Sequence, residues 1–95
     1  MNHRQRQEKL AKDALATGRA ISASRRAIDE SGEVFSITVT IQKVGNKYYV
    51  NLEEYYPVGY IGKDIREIKR IFVNMDEAVE YATRESQIKL WNFKP

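Results

Sequence analysis

The side chains best equipped for chemistry in this chain are cations and phenol rings. Lys12, Arg19 and Arg26 recur at intervals of seven residues, with Arg25 beside the last of them. On one continuous helix this spacing stacks them about 10.5 Å apart on a single face, at a rise of 1.5 Å per residue. Such a row can meet successive phosphates, each contact adding affinity by releasing condensed counterions. A charge row opposite an apolar stripe is also what an ordinary solvated helix face looks like. The charge distribution favours phosphates: residues 1–28 carry seven Lys and Arg against two acidic side chains, +5, while residues 29–95 carry nine against eleven, −2. Asymmetry of this kind points to a polyanionic partner.

Two of the phenols, Tyr49 and Tyr55, fall on the polar side of an alternating segment, together with Ser36, Thr38, Thr40, Gln42, Asn51 and Glu53. Nucleic-acid-binding sheets stack bases on rings of an open face, with basic residues at the margin. Lys43, Lys47, Lys69 and Arg70 would supply that margin, provided the N-terminal helix leaves the face uncovered. Two further rings, Tyr56 and Tyr60, lie in or beside a loop in which Pro57 ends strand pairing and Gly59 and Gly62 permit turns. Rings on such a loop suit a protein partner, because aromatic anchors dominate protein interfaces.

Other chemistries find no residues to carry them. There is no cysteine, hence no disulfide, thiolate metal site or Cys nucleophile, and the single histidine is His3. No phosphate-binding glycine loop follows a strand. Glu53 and Glu54 are neighbours on a strand, so they point to opposite faces and cannot act as an acid/base pair. Glu54 is expected to meet Lys43 or Arg70. No enzymatic activity, cofactor or metal is expected.

Positioning these residues requires a sheet and two helices. Phe35, Ile37, Val39 and Ile41 alternate with Ser36, Thr38, Thr40 and Gln42, the period of a strand with one dry face. Gly45-Asn46 marks a two-residue type II′ turn. A loop centred there pairs residues whose numbers sum to 91, which sets Val39 opposite Leu52 and Ile41 opposite Val50. Residues 4 to about 30 read as a helix with a stripe of Leu10, Ala14, Thr17, Ile21 and Ile28. Gly18 could break that helix in two, and Gly32 would stop it. Residues 65–73 fit either helix or strand. The cap signal Asn74-Met75-Asp76-Glu77 favours a strand ending near Val73 and a helix from about Met75 to Ile88. The tail through Trp91 and Phe93 should be anchored or form a short fourth strand.

The expected architecture is α+β, one domain over residues 1–95: a basic helix (1–30), an antiparallel sheet of three to four strands (33–73), then a helix and C-terminal anchor (74–95), in α-β-β-β-α order. This order is similar to that of double-stranded RNA-binding domains. Those dock phosphates at the start of their last helix, where this chain has the acidic stretch Asn74-Met75-Asp76-Glu77, so no residue is carried over. There is no apolar run near the roughly 20 residues of a membrane span and no secretory h-region, and the cytoplasm is the expected compartment. The functional expectation is a small non-catalytic module that binds nucleic acid or a nucleoprotein complex through Lys12, Arg19, Arg25 and Arg26, with Tyr49 and Tyr55 as stacking rings. The alternative is a phage or mobile-element inhibitor, of anti-CRISPR or anti-restriction type, docking on a host nucleoprotein complex through Tyr56 and Tyr60. A homodimer through the alanine-rich helix or the sheet edge is a third reading.

Overall fold

The computed structural model describes residues 2–56 and 64–95. Its elements run α1 (His3–Ala16), β1 (Ile21–Ile28), β2 (Val34–Val44), β3 (Lys47–Tyr55), β4 (Asp64–Phe72) and α2 (Met75–Ser86), followed by a 3₁₀ turn at Leu90–Asn92. The four strands form one antiparallel sheet in the order β1-β2-β3-β4. The α+β class, with helices flanking an antiparallel sheet, is the one expected. The order gains a strand and becomes α-β-β-β-β-α, which departs from the double-stranded RNA-binding order.

The central hairpin has the register its pattern specifies. Val44 pairs with Lys47, and every β2–β3 pair through Ser36–Tyr55 sums to 91. Gly45 has φ +64° and no non-glycine neighbour in the turn has positive φ, which is the mark of a type II′ turn. One face of the sheet therefore carries Ile21, Ala23, Ile37, Val39, Ile41, Val50 and Leu52, all buried. Both helices and the C-terminal tail lie on this face. Ala11, Ala14 and Leu15 of α1, Ala78, Val79 and Ala82 of α2, and Ile88, Leu90 and Phe93 complete a single core. Full burial of a side chain such as Leu15 or Leu52 is worth about 1.5–3 kcal/mol relative to leaving it in water.

The N-terminal helix is half as long as its composition suggests. It starts with a capping box between Asn2 and Gln5 and ends at Ala16. The termination is a Schellman motif: Arg19 N–H donates to the Ala14 carbonyl (3.0 Å), Gly18 N–H to Leu15 (3.1 Å), and Gly18 takes φ +89°. Gly18 is thus a break, but the segment beyond it is a strand rather than a second helix. Ile21 and Ala23 turn inward while Ser22 and Ser24 turn outward. Gly32, expected to stop a helix, serves instead in the β1–β2 turn, where its N–H donates to the Asp29 carbonyl (3.0 Å).

Residues 64–72 are strand, and α2 begins where the cap signal lies, with Asn74 Oδ1 accepting from Glu77 N–H (3.1 Å). The tail is anchored: Ser22 and Lys94 exchange two backbone hydrogen bonds (2.8 and 2.9 Å), and the Arg4 guanidinium lies 4.8 Å over the Trp91 ring. Glu54 meets neither Lys43 nor Arg70 but its cross-strand neighbour Arg66 (3.0 Å). Among the described residues no helix is long and apolar enough to cross a membrane.

Replacing Gly18 by alanine should lower stability by about 1–2 kcal/mol, the cost of holding a Cβ-bearing residue in a left-handed conformation. The space around Gly18 is open, so no clash adds to that cost. Urea denaturation measures the effect, and an unchanged midpoint would show that the helix end does not depend on this geometry.

Candidate functional site

Because the helices and tail share one side, the opposite face of the sheet is left open among the described residues. The strand registers define its rows: Gln42–Tyr49–Ile71, Ser22–Thr40–Asn51–Lys69, Ser24–Thr38–Glu53–Glu67, and Arg26–Ser36–Tyr55. This is the hydroxyl- and amide-rich face read from the alternation, and it lies free of α1. Its two rings differ in setting. Tyr49 is 41% exposed, whereas Tyr55 is half-buried with its hydroxyl 3.2 Å from Thr38 Oγ1. Thr38 is in turn 3.0 Å from Ser24 Oγ. A chain of hydroxyls thus crosses β1, β2 and β3 and pins the Tyr55 ring.

Tyr49 forms one wall of a shallow hollow of about 450 Å³ shared with Thr40, Gln42, Asn51, Lys69 and Ile71. The Asn51 amide is oriented by its neighbour: Nδ2 donates to Glu53 Oε1 (3.2 Å). A carboxylate only accepts, so Asn51 Oδ1 must face the other way. That oxygen is buried and has no partner among the described residues.

Arg26 projects from this face on the β1 side. Arg19, exposed just before the strand, and Lys94, bridged to Ser22 at the strand's edge, lie toward the helical layer: both line a hollow with Leu10 and Asp13 of α1, and the Lys94 ammonium is 3.5 Å from Gln7 Oε1. Residues 17–28 and 88–95 together hold five Lys and Arg and no acidic side chain. Toward β4 the charges mix, with Glu53 opposite Glu67 and Glu67 paired to Lys69 at 3.1 Å.

The expected ridge of Lys12, Arg19, Arg25 and Arg26 is therefore not assembled on one helix. Lys12 stands on α1 in the helical layer, 3.9 Å from Asp76. Arg25 turns inward, where its Nε–H donates to the Ser86 carbonyl at the C-terminal end of α2 (2.7 Å). A cation is favoured there because the unsatisfied carbonyls of a helix end carry partial negative charge. Of the four, Arg26 alone shares a face with Tyr49 and Tyr55. Lys94 was missed, since nothing local in the tail shows that it pairs with β1. The alternation Ile21-Ser22-Ala23-Ser24 is the signal that could have placed Arg26.

Tyr56 turns toward Phe35 (ring centroids 6.5 Å, edge-on), and its hydroxyl donates to Asp29 Oδ2 (2.6 Å). Tyr60 lies outside the described residues. Asp29 organises the β1–β2 turn, with Oδ1 accepting from Ser31 N–H (2.9 Å), Ser31 Oγ (2.7 Å) and Glu33 N–H (2.9 Å). These donors, the Tyr56 hydroxyl foremost, favour the ionised carboxylate and hold its pKa at about 2 against an ordinary 3.8.

Compared with known proteins, the chain matches no family model, no curated protein and no solved structure.

These contacts carry two expected outcomes. Arg25→Gln should cost about 1–2 kcal/mol in chemical denaturation, because the Ser86 carbonyl loses a charged donor. An unaffected variant would mean the guanidinium is not needed at the helix end. For Asp29 the folded pKa is depressed, so its contribution to stability is complete above the ordinary value and fades as pH falls from about 4 toward 2. The difference in melting temperature between wild type and Asp29→Asn should accordingly shrink across that window. A difference that stays constant would contradict the assignment.

Proposed function

We propose that the open sheet face binds single-stranded nucleic acid in the cytoplasm, with phosphates along the β1 margin and bases toward Tyr49. The observation that carries this reading is a face bearing Tyr49 and Tyr55, uncovered among the described residues, with Arg26 projecting from it at the β1 edge. Unpaired bases offer π-faces to aromatic side chains, which a duplex does not, so the single strand fits better than the double helix. The carboxylates near the middle refine the path. Glu53 and Glu67 repel phosphate but accept from base amino groups, as acidic side chains do from cytosine N4. The backbone accordingly keeps to the β1 side, along Arg26 and out over the strand's edge toward Arg19 and Lys94. Lys12, in the other layer, takes no part.

Fluorescence anisotropy with short labelled single strands at several salt concentrations tests this. Arg19→Glu with Arg26→Glu should flatten the log–log salt dependence by about two. Tyr49→Ala should weaken binding by about 1–3 kcal/mol, the usual range for a stacking ring. Lys12→Glu should leave the slope unchanged. Equal damage from Lys12→Glu and Arg26→Glu would move the phosphates to the helical layer. An absence of binding at low salt would reject nucleic acid as the direct ligand and turn attention to docking on a nucleoprotein complex.

A further inference from the structure

The outer edge of β4 is nine residues long and pairs with no other strand among the described residues. The β1 edge, by contrast, is partly closed by the bridge between Ser22 and Lys94. Unpaired edges invite another strand, and natural proteins usually blunt them with charge. Here the charges on the open-face side of β4 run in the order Ile65, Glu67, Lys69, Ile71, which is complementary to itself when reversed. Ile65 and Ile71 are 43% and 60% exposed.

We propose that β4 pairs antiparallel with β4 of a second copy of this chain about a two-fold axis at Ile68, joining two sheets into one of eight strands. Directly opposed residues in such a pair have numbers summing to 136. Glu67 then faces the partner's Lys69, Lys69 faces the partner's Glu67, and Ile65 and Ile71 face each other at both ends. Neighbouring registers fail on charge. A sum of 134 sets Glu67 against itself, 138 sets Lys69 against itself, and 132 or 140 opposes charged to apolar side chains. Odd sums turn one open face to the other side and are excluded by the strand period.

On the covered side, Ile68 meets its symmetry mate and Arg66 faces the partner's Arg70. The Arg66 charge is already offset by Glu54 at 3.0 Å, which softens that contact. Arg70 Nη1 donates to the Lys69 carbonyl (3.0 Å) and must release it if that oxygen enters the new ladder. The register irregularity between β3 and β4 at Glu54/Tyr55 places Ile65 at a bulge, so the regular ladder runs over residues 66–70 with the isoleucines at its ends. The two open faces would lie side by side and double the surface without covering any of it.

Sedimentation equilibrium of the full chain, with circular dichroism to verify folding, tests the register directly. Wild type should show reversible dimerisation. Glu67→Lys and Lys69→Glu, each placing like charges opposite each other twice, should each weaken it at least about tenfold. An equimolar mixture of these two variants should associate again, as should the double variant E67K/K69E, because opposite charges face each other in both. A wild-type chain that remains monomeric up to about 1 mM would overturn the proposal. So would a dimer indifferent to the single reversals, or single variants that fail to complement each other.

Discussion

The pairing of β2 with β3 about Gly45-Asn46 is the constraint on which the rest of this structure depends. It sets Val39 against Leu52 and Ile41 against Val50, all fully or almost fully buried, and so creates one continuous apolar surface. A slip of one residue would send one strand's entire apolar set into water. With that surface in place, α1, α2 and the C-terminal tail have one place to bury their own small and aliphatic residues. The alanines suit the role: Ala11, Ala14, Ala78 and Ala82 let helix backbones come close to the sheet. Layering of this kind is the general solution for elements with one hydrophobic face.

The same layering produces the candidate site by leaving the other face bare among the described residues. Hydrogen bonding on that face is local, through Ser24, Thr38 and Tyr55 hydroxyls and through Asn51 Nδ2 with Glu53, and it leaves Asn51 Oδ1 without a partner among the described residues. Three cations come to the β1 side of the sheet for unrelated reasons, Arg26 on this face and the other two toward α1. Arg26 is carried there by strand alternation, Arg19 by the end of α1, and Lys94 by the tail's bridge to Ser22. Arg25, one residue from Arg26, has the opposite fate: strand geometry turns it inward to close the end of α2. In a helix the two would have been flanking members of one charged surface. In a strand they serve different layers, which is why the secondary structure of eight residues decides the reading of the charge.

Why residues 21–28 mislead is itself physical. Alanine and arginine favour helices, and the period-2 pattern is clear only in Ile21-Ser22-Ala23-Ser24. The second half inverts it, with Arg25 half-buried and Ile28 exposed. Those choices make sense only once α2 offers its terminal carbonyl and once Ile28 finds Val34 opposite it on the open face. Tertiary context overrode propensity there, as it commonly does for short strands.

By itself the sequence determined the central hairpin, its register, its turn, the α2 cap at Asn74, and the identity of the polar face with Tyr49 and Tyr55. Each of these rests on interactions among near neighbours: alternation, a glycine with positive φ, a side chain accepting from a backbone N–H three residues on. The end of α1 was half legible, since Gly18 announced a break without announcing the strand beyond it. Only the tertiary structure decided which cations share a face. That choice rests on β1 pairing with β2 and with a tail some seventy residues away, and on a helix terminus that attracts Arg25. Long-range pairings of this kind leave no periodic trace in the segments that make them, so the charge row could be counted from the sequence but not placed.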